Sequence, residues 1–477
     1  MARRTVTLTY GTKTKQFELD EAFMAGEPIA PRKIDIPKRD PHDVIREALA
    51  KPLGSPRLRE LVGGKRVCLV VSDDFRAGLQ VEIGECLLEE MAANKPSHVS
   101  IISGTGSHNP DVYAKRILTA LDAKANELGL DHELIWHDCD TSPCVEAGET
   151  KLGTKLIVEK AFLDSDVRVY GHEAKHHYMA GYSSMDKQVI PGVSMRKTIE
   201  MNHKQSLDED SRAGNILYHK DPKRQRNPFS GDAHDGRKIM EGLKLQDGKL
   251  VEADCPTFGV DMISEKQDIL WIAAGDPDEV SALMPEQADR FGAFEVERQQ
   301  YVLISPGGPP ACQALYGTQN CFDMALLGAI LENGEALIVA PCDGREDLPP
   351  DVSGLAPGKK SKELFYDNLV CLQCEPLEHC ETHIRDHFEL YLWKTIRVLR
   401  LTKKYGLKLY LNSELPDEAL TKAGFIPEHD PQRWLDERAA RGDGRCHVID
   451  GGNKLFVSGT DPTPGPGKEL PYCVDGE

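Results

Sequence analysis

The chain has 477 residues, of which 40% are hydrophobic and 28% are charged, a composition typical of a folded globular protein with two or three domains. It opens on an alternating strand-like run instead of an apolar signal segment. No stretch approaches the roughly 20 apolar residues that cross a membrane, so we expect a cytoplasmic protein without a membrane partner. A formal net charge of −19 argues against a nucleic-acid partner, but not against a small anion in a local cationic pocket. The 13 cysteines mostly lie singly within apolar runs, which is typical of reduced, buried thiols.

Short β-branched runs alternate with helix-length amphipathic segments. The predicted strands are 66–73, 97–103, 133–138, 166–171, 268–273, 299–305, 336–341 and 408–412. The predicted helices are 41–50, 81–94, 111–128, 278–290, 310–332, 384–405 and 416–424. This alternation predicts an α/β fold with mostly parallel sheets flanked by helices.

Two domains are predicted, with a boundary near residues 285–298, where a new strand–helix series begins. Residues 1–290 would form an N-terminal α/β domain, and residues 291–477 a C-terminal one. The stretch 204–247 is polar and rich in turn residues, so we expect an irregular excursion there. The Pro/Gly-rich tail after residue 457 is also expected to be irregular.

Chemically active side chains follow three of the predicted strands. Asp73 and Arg76 follow the first strand, and His108 lies in the GTGSHNP loop after the second. Lys187 lies with three histidines after the fourth. Because parallel strands share one carboxyl edge, where ligands bind, the sequence predicts an active site at that edge. Each residue alone has a simpler explanation, such as a helix cap for Asp73 or a surface position for His108.

The segment HEAKH, from His172 to His176, matches the zinc-peptidase pattern HExxH. That pattern needs a continuous helix so that both histidines face one metal, and Glu200 would be the third ligand. Here the segment follows a strand directly and reaches Gly181 soon afterwards. A zinc peptidase is therefore the weaker alternative.

A second metal-like cluster consists of Cys371, Cys374, Cys380 and His383. A CxxC pair followed by Cys and His can hold structural zinc, but these spacings are not those of a zinc ribbon or finger. Free thiols in a reducing compartment are the favoured interpretation.

The stretch that begins at His177 has the pattern H-x3-G-x-S-x3-K-x3-P-G, followed by T-I-x2-N-H ending at His203. This pattern resembles the signature of the nickel-dependent lactate racemase family. LTYGTKTKQFEL, GTGSHNP, HDCD and SPGGPPACQALYGTQN resemble segments of that family, in its order. The resemblance covers residues from about 5 to 425, and the chain is identified as a member of the family.

The resemblance implies an isomerase that racemises or epimerises an α-hydroxy acid in a cleft between two domains. The family's cofactor is a nickel-pincer nucleotide, pyridinium-3-thioamide-5-thiocarboxylic acid mononucleotide. The enzymes that make this cofactor would be transient partners. By position, Lys187 would tether the cofactor, and His203 would bind nickel, because imidazole beside sulfur donors suits that metal.

The remaining site residues are also implied by position. His108 and His177 match the two acid/base histidines of the family. The residues at cofactor-binding positions are Asp73, Arg76 and Ser183, and those at substrate-side positions are Arg76, Tyr316 and Asn320.

Hydride chemistry suits such a substrate. The Cα–H bond beside an ionised carboxylate is a very weak acid, whereas loss of hydride leaves a stable keto acid. A pyridinium-like carbon can accept the hydride while a neutral histidine takes the hydroxyl proton. Inversion would then need a histidine on each side of the substrate.

Several positions depart from the family pattern. Ser184 and Met185 replace two glycines and are expected to crowd the loop before the tether lysine. Gly317 and Asn320 replace a glutamine and a lysine, and the second change removes a cation expected to hold lactate's carboxylate. We therefore expect an α-hydroxy acid other than lactate, bulkier or more polar, with Arg76 binding more of the carboxylate.

Two other classes of protein stay open at this point. A degenerate family member would bind a nucleotide or a hydroxy acid without turnover. An ordinary nicotinamide dehydrogenase is disfavoured, because the sequence lacks the GxGxxG fingerprint.

Overall fold

The structure is a computed structural model that describes residues 2–74, 78–344 and 360–461. The strands are β1 (Arg3–Tyr10), β2 (Lys13–Asp20), β3 (Arg66–Ser72), β4 (His98–Gly104), β5 (His132–Ile135), β6 (Cys144–Glu149), β7 (Lys155–Glu159), β8 (Val167–Glu173), β9 (His176–His177), β10 (Gly181–Tyr182), β11 (Leu243–Gln246), β12 (Lys249–Glu252), β13 (Thr257–Glu265), β14 (Asp268–Gly275), β15 (Ala293–Glu297), β16 (Gln299–Ile304), β17 (Ile330–Val339), β18 (Lys408–Asn412), β19 (Ile426–Pro427), β20 (Cys446–Ile449) and β21 (Phe456–Thr460).

The α-helices are α1 (Pro41–Leu49), α2 (Leu58–Val62), α3 (Gln80–Ala92), α4 (Pro110–Tyr113), α5 (Lys115–Glu127), α6 (Lys160–Asp164), α7 (Arg196–Lys204), α8 (Pro228–Glu241), α9 (Pro277–Gly292), α10 (Leu315–Thr318), α11 (Leu327–Ala329), α12 (Lys360–Cys371), α13 (Leu377–Asp386), α14 (Leu392–Lys403), α15 (Asp417–Lys422) and α16 (Pro431–Arg441). Two π-helical turns lie at Gln188–Gly192 and Phe322–Leu326, and two short 3-10 turns lie at Gln205–Leu207 and Pro222–Arg224. None of the helices in the described ranges combines the length and the apolar character that a membrane span requires. The predicted α/β architecture, with mostly parallel sheets flanked by helices, is confirmed.

The chain divides into two compact units. The large unit comprises residues 32–291 and 383–393, and the small unit comprises residues 1–31, 292–382 and 394–477.

A six-stranded sheet in the order β14-β13-β8-β3-β4-β5 forms the centre of the large unit. All of its neighbouring strands are parallel except β13 and β14. Alternate residues of β3 point to opposite faces, as strand geometry requires. Leu69 and Val71 pack in the core that contains Ile83, whereas Cys68 and Val70 pack in another core. Burial on both faces explains why this strand is a nearly continuous apolar run.

A five-stranded parallel sheet in the order β19-β18-β17-β16-β20 forms the centre of the small unit. The β1–β2 hairpin contributes Val6 and Phe17 to the same core as Leu303 and Leu337. This shared core assigns residues 1–31 to the small unit, whereas the predicted N-terminal domain included them.

Three predicted segments differ from the structure. The stretch 204–247 contains α8, which Asn227 caps with its side chain and whose helical period is obscured by the buried charges Asp232 and Arg237. The predicted helix 310–332 is broken into short turns and ends where β17 begins. The predicted helix 384–405 is two helices, α13 and α14, with Tyr391 between them at a φ of 85°.

Candidate functional site

Three adjacent strands of the large unit carry polar residues to one edge of the sheet. The strands β8, β3 and β4 are neighbours and run parallel, so their carboxyl ends lie together. Asp73 follows β3, and His108 follows β4. The strand β8 leads into the β9–β10 hairpin, which carries His177, and then to Lys187.

The side chain of His108 is held by Asp73. Its Nδ1 lies 2.5 Å from Oδ2 of Asp73. Because a carboxylate accepts hydrogen bonds, Nδ1 carries the proton and donates it, so Nε2 of the neutral ring is an acceptor. The His108 side chain is 37% exposed, whereas that of Asp73 is 11% exposed. This arrangement suits a group that takes up a proton and is then stabilised by the carboxylate behind it.

The β9–β10 hairpin pairs His176 with Tyr182 and His177 with Gly181. Gly181 has a φ of +77°, and a Cβ at this position would lie 1.7 Å from the backbone oxygen of Asn215. Only glycine fits such a left-handed position against neighbouring backbone. This requirement explains the glycine four residues after His177 in the sequence pattern.

The carboxylate of Asp289 accepts hydrogen bonds from both strands of the β9–β10 hairpin. Its Oδ1 accepts hydrogen bonds from Nε2 of His176 at 2.9 Å and from the hydroxyl of Tyr182 at 2.6 Å. Its Oδ2 accepts from Arg224 at 2.7 Å. Burial alone would raise the pKa of Asp289, but the bonds from His176 and Arg224 outweigh it and lower the pKa. The carboxylate is therefore charged, and it fixes His176 and Tyr182, the outer cross-strand pair of the hairpin.

His177 is buried and held by backbone groups. Its Nδ1 accepts hydrogen bonds from the N–H groups of Met179 and Ala180, at 3.4 and 3.2 Å. The proton of the neutral ring therefore lies on Nε2, the opposite arrangement to that of His108. The ring also stacks on Tyr178, with centroids 4.8 Å apart. In this conformation His177 is a hydrogen-bond donor, and it could act as a base only if Nδ1 took up the proton and both backbone bonds broke.

His203 is a buried, neutral imidazole on α7. Its Nδ1 donates a hydrogen bond to the carbonyl of Ile199 at 2.8 Å, which leaves the lone pair on Nε2. Burial, and next the nearby charge of Lys187, lower the pKa of His203 to about 3. The rings of Phe229 and Trp393 pack against it, with centroids at 5.0 and 4.9 Å. Lys187 is therefore near enough for its charge to act on His203, which is itself buried among aromatic rings.

A buried charge network fixes the chain just before Lys187. The carboxylate of Asp186 accepts hydrogen bonds from Arg237 at 2.7 Å and from the hydroxyl of Tyr218 at 2.8 Å. The Nδ1 atom of His234 lies 3.3 Å from the same carboxylate. Burial alone would raise the pKa of Asp186, but the charge of Arg237 outweighs it and lowers the pKa. A charged and fully bonded Asp186 anchors the backbone that presents Lys187.

Ser183 belongs to a buried hydrogen-bonded chain that the sequence did not reveal. Its hydroxyl lies 3.0 Å from Nε2 of His172, and Nδ1 of His172 lies 2.8 Å from Oδ1 of Asp261. Burial raises the pKa of Asp261. The chain fixes the orientation of the Ser183 hydroxyl, four residues before Lys187. Asp261 lies on β13, a strand that the sequence did not predict.

The zinc-peptidase alternative does not fit the structure. His172 is at the end of β8 and His176 is in β9, so the HEAKH segment is not a helix. The two rings bind different carboxylates, Asp261 and Asp289. Among the described residues, no metal-binding group joins these histidines with Glu200.

Met185 does not crowd the loop before Lys187 as the sequence comparison predicted. Its side chain is fully buried in the core of the large unit. A Cβ at Gly259 would lie only 2.2 Å from the Met185 sulfur, so the glycine makes room for this side chain. The neighbouring Ser184 donates a hydrogen bond to Asp186 at 3.1 Å. Both substitutions are therefore accommodated away from the candidate site.

Residues 383–393 supply two aromatic side chains that sequence analysis missed. The hydroxyl of Tyr391 lies 3.3 Å from Oγ of Ser107, next to His108. The indole N–H of Trp393 donates to the hydroxyl of Tyr178 at 2.9 Å, and its ring packs on His203. The aromatic run FELYLW was the one available signal, but nothing local to it indicated which histidines it contacts.

Tyr316 and Asn320 lie together in the small unit, with a lysine that the sequence did not indicate. The ammonium of Lys394 donates to the carbonyl of Tyr316 at 2.7 Å and to Oδ1 of Asn320 at 3.0 Å. It also lies 3.5 Å from the centre of the Tyr316 ring. The lysine that the family has at the Asn320 position is absent, as the sequence shows, and α14 brings a different cation, Lys394, to this point.

The other predicted site residues do not add to this group. Arg76 lies outside the described residues. Cys371 and Cys374 are exposed, whereas Cys380 is buried, and its thiol lies 3.5 Å from the carbonyl of Leu372. Within the described ranges, these cysteines and His383 are not a metal-binding group.

Comparisons with known proteins agree with the sequence pattern. Residues 10–214 match the model of the lactate racemase N-terminal domain. The lactate racemase of Lactiplantibacillus plantarum is 25% identical over 224 residues, which are 45% of this chain and 52% of that protein. The lactate racemase of Thermoanaerobacterium thermosaccharolyticum is 26% identical over 205 residues, 42% of this chain and 46% of that protein. The match thus spans about half the length of these relatives.

Solved structures show the same fold. The lactate racemase apoprotein from Thermoanaerobacterium thermosaccharolyticum superposes with a TM-score of 0.75 at 21% identity, covering 95% of this chain and 100% of that chain. A Thermotoga maritima protein superposes with a TM-score of 0.56 at 12% identity, covering 89% of this chain and 100% of that chain. Residues 10–214 of this chain therefore match a lactate racemase N-terminal domain in sequence, and the chain shares its fold with the lactate racemase apoprotein.

Proposed function

We propose that the protein is a racemase or epimerase of an α-hydroxy acid that uses a nickel-pincer nucleotide. The observation that supports this function best is a buried His203 with a free Nε2 lone pair, close enough to Lys187 for the charge of the lysine to lower the pKa of the ring. The proposal needs an amine to tether the cofactor and an imidazole to bind nickel. His108, at the same sheet edge and backed by Asp73, would handle the proton.

The donor chemistry of His203 fits nickel. A metal-bound histidine usually donates its other ring N–H to a carbonyl or carboxylate, and Nδ1 of His203 already donates to Ile199. The lowered pKa of His203 keeps Nε2 unprotonated at neutral pH, as a ligand must be. Imidazole is a suitable nickel ligand beside soft sulfur donors. When bound, the cofactor would supply a cationic ring that accepts hydride.

Lys187 is presented by a rigid segment. Asp186 before it is bonded to Arg237, and Ser183 is oriented by His172. Side chains that are themselves fixed by hydrogen bonds hold a reactive group in one geometry. We assign Lys187 as the tether and Ser183 as a polar contact for the cofactor.

The proton of the substrate hydroxyl would move to Nε2 of His108. Asp73, which accepts from Nδ1, would then stabilise the imidazolium that forms. His177, with its proton on Nε2, would donate a hydrogen bond to the substrate oxygen. Inversion would require the keto acid to turn its opposite face towards the cofactor before His108 returns the proton to that oxygen.

Lys394 is assigned to the substrate carboxylate. Its ammonium lies between the Tyr316 carbonyl and the Asn320 amide oxygen, both of which are neutral acceptors. An ammonium attracts a carboxylate by its opposite charge as well as by hydrogen bonding, so a cation here favours an anionic ligand. The proposal of a substrate bulkier or more polar than lactate rests on Asn320, which replaces the family's lysine, because a Cβ at Gly317 would lie 2.9 Å from the backbone oxygen of Ala311.

One observation favours a second candidate function, a binding protein without turnover. The two backbone bonds to Nδ1 of His177 prevent that ring from acting as a base in this conformation. If inversion requires a base on each side of the substrate, the chain would bind a hydroxy acid and release it unchanged. Detection of isomer interconversion decides between the two functions.

The test uses protein co-produced with the cofactor-making enzymes. Single enantiomers of lactate and of larger hydroxy acids are incubated with it, and the products are separated by chiral chromatography. We expect interconversion, fastest for a larger acid, and a KM about tenfold or more higher for Lys394→Met. The exposed Lys404→Met is the matched control. Interconversion fastest with lactate would contradict the assigned substrate class, and no interconversion of any acid would contradict the racemase.

A further inference from the structure

Three potential metal ligands meet in the large unit, away from the residues assigned to the cofactor. Cys144 and Glu159 are cross-strand partners of β6 and β7, so their side chains share a face. His137 follows β5 and reaches the same point. One ligand atom from each of the three lies within 4.8 Å of the others. The side chains of His137 and Glu159 are 0% and 1% exposed.

Both ring nitrogens of His137 lie at hydrogen-bond distance from an oxygen atom. Its Nε2 lies 3.1 Å from the carbonyl of Ser194, and a carbonyl can only accept, so Nε2 carries a proton. Its Nδ1 lies 3.0 Å from Oε2 of Glu159. With the ring proton on Nε2, Nδ1 and the carboxylate oxygen are both acceptors, so either a further proton or a metal cation lies between them.

We propose that His137, Cys144 and Glu159 bind one Zn²⁺ ion. Nitrogen, thiolate sulfur and carboxylate oxygen are the donors that zinc binds in proteins, at about 2.0 to 2.3 Å. Two ligand atoms 3.0 Å apart, as Nδ1 and Oε2 are, fit around one such ion. The donation from Nε2 of His137 to a carbonyl is the usual support of a zinc-binding histidine. The thiol of Cys144 would release its proton on binding, so the two ligand charges balance the ion.

The site would fasten segments that the candidate active site depends on. The backbone oxygen of His137 accepts a hydrogen bond from Thr105, in the loop that carries His108. The carbonyl of Ser194, which accepts from His137, lies between the π-helical turn after Lys187 and the helix of His203. A bound ion would therefore stabilise the positions of both segments, because metal binding to a site that exists only in the folded chain adds to folding stability.

Metal analysis of the protein tests this site. The full chain is produced in zinc-supplemented medium without the cofactor-making enzymes, dialysed, and assayed for bound metal. We expect about one Zn²⁺ per chain, lost in Cys144→Ser and retained in Cys374→Ser and in His203→Ala. The first control removes an exposed thiol, and the second removes the proposed nickel ligand. Replacement of zinc by Co²⁺ should give a thiolate-to-cobalt absorption band in the wild type and not in Cys144→Ser.

A chelator adds a readout that does not depend on variant folding. It should lower the Tm of the wild type and leave that of Cys144→Ser unchanged. Absence of stoichiometric zinc in the wild type, or equal zinc and an equal cobalt band in Cys144→Ser, would overturn the proposal. His137 and Glu159 would then form a buried hydrogen-bonded pair only. Because the cofactor-making enzymes are absent and Cys144→Ser leaves Lys187 and His203 in place, neither outcome depends on the proposed racemase activity.

Discussion

The His108 loop and the β9–β10 hairpin hold their histidines in opposite ways. His108 is part-exposed and bonded to one carboxylate, Asp73, through Nδ1. His177 is buried, and its Nδ1 accepts from two backbone N–H groups, while its neighbour His176 is bound to Asp289. A carboxylate leaves the outer nitrogen of a neutral ring as a base, whereas backbone donors make it a hydrogen-bond donor. The partner of the inner nitrogen therefore indicates which histidine moves the proton and which one orients the substrate.

The largest effect is expected from replacing the two histidines in turn. His108→Gln removes the group assigned as base, so kcat should fall by about 10²- to 10⁴-fold. His177→Gln retains a neutral donor, so kcat should fall by about tenfold to a hundredfold. Chiral chromatography measures both rates, and intact mass measures cofactor occupancy, which should stay unchanged. Equal losses in the two variants would mean that both histidines act as bases and that the hairpin rearranges during turnover.

Asp73→Asn tests the carboxylate behind His108. Loss of the negative charge destabilises the imidazolium, so kcat should fall by about 10- to 100-fold while KM changes little. In a His108→Gln background the same change should have little further effect, because residues that act as a unit are not additive. An independent, additive loss in the double variant would place Asp73 on the cofactor instead.

Asp289→Asn tests the anchor of the hairpin. Removal of the charge that His176 and Arg224 share should lower the free energy of unfolding by about 2 to 4 kcal/mol at neutral pH. Because the pKa of Asp289 is lowered in the folded protein, its stabilisation is present above the unfolded pKa of about 4 and is lost as pH falls towards the folded value. Urea unfolding at several pH values from 7 to 3 measures this loss. The difference in unfolding free energy between the wild type and Asp289→Asn should begin to shrink only below about pH 4. A constant difference down to pH 3 would contradict the assigned charge.

Trp393→Leu should have the smallest effect. The indole packs on the ring of His203 and donates a hydrogen bond to the hydroxyl of Tyr178. Loss of such outer support should weaken nickel retention by about tenfold. Dialysis against a chelator, with nickel measured over time, reports this change. Trp136→Leu, at an exposed position, is the control and should retain nickel like the wild type.

The sequence was sufficient for the features that have a local pattern. The strands that lead to Asp73 and His108 are buried on both faces, so their apolar runs were evident, and the parallel arrangement places their ends together. By contrast, β13 mixes a glycine and an acid among its apolar residues, so Asp261 was missed as the partner of His172. Trp393 and Lys394 meet the candidate residues through contacts distant in sequence, which leave no periodicity to detect.

The wrong expectation for Met185 has the same cause, a contact with a residue that is distant in sequence. In sequence it lies two positions before Lys187, where a large side chain replaces a glycine of the family pattern. In the structure the space comes from Gly259, on a different strand. Volume exchange of this kind depends on three-dimensional packing, which a single sequence does not specify.

The central claim is that Lys187 and His203 together hold a nickel-bearing cofactor. It is tested most directly by intact mass and nickel content of the same protein, co-produced with the cofactor-making enzymes. The wild type should carry a covalent adduct and about one nickel in a form released by denaturation, Lys187→Arg should lack the adduct, and His203→Ala should keep the adduct and lose nickel. A wild-type protein with an unmodified mass, or an adduct of the same mass in Lys187→Arg, would contradict the claim.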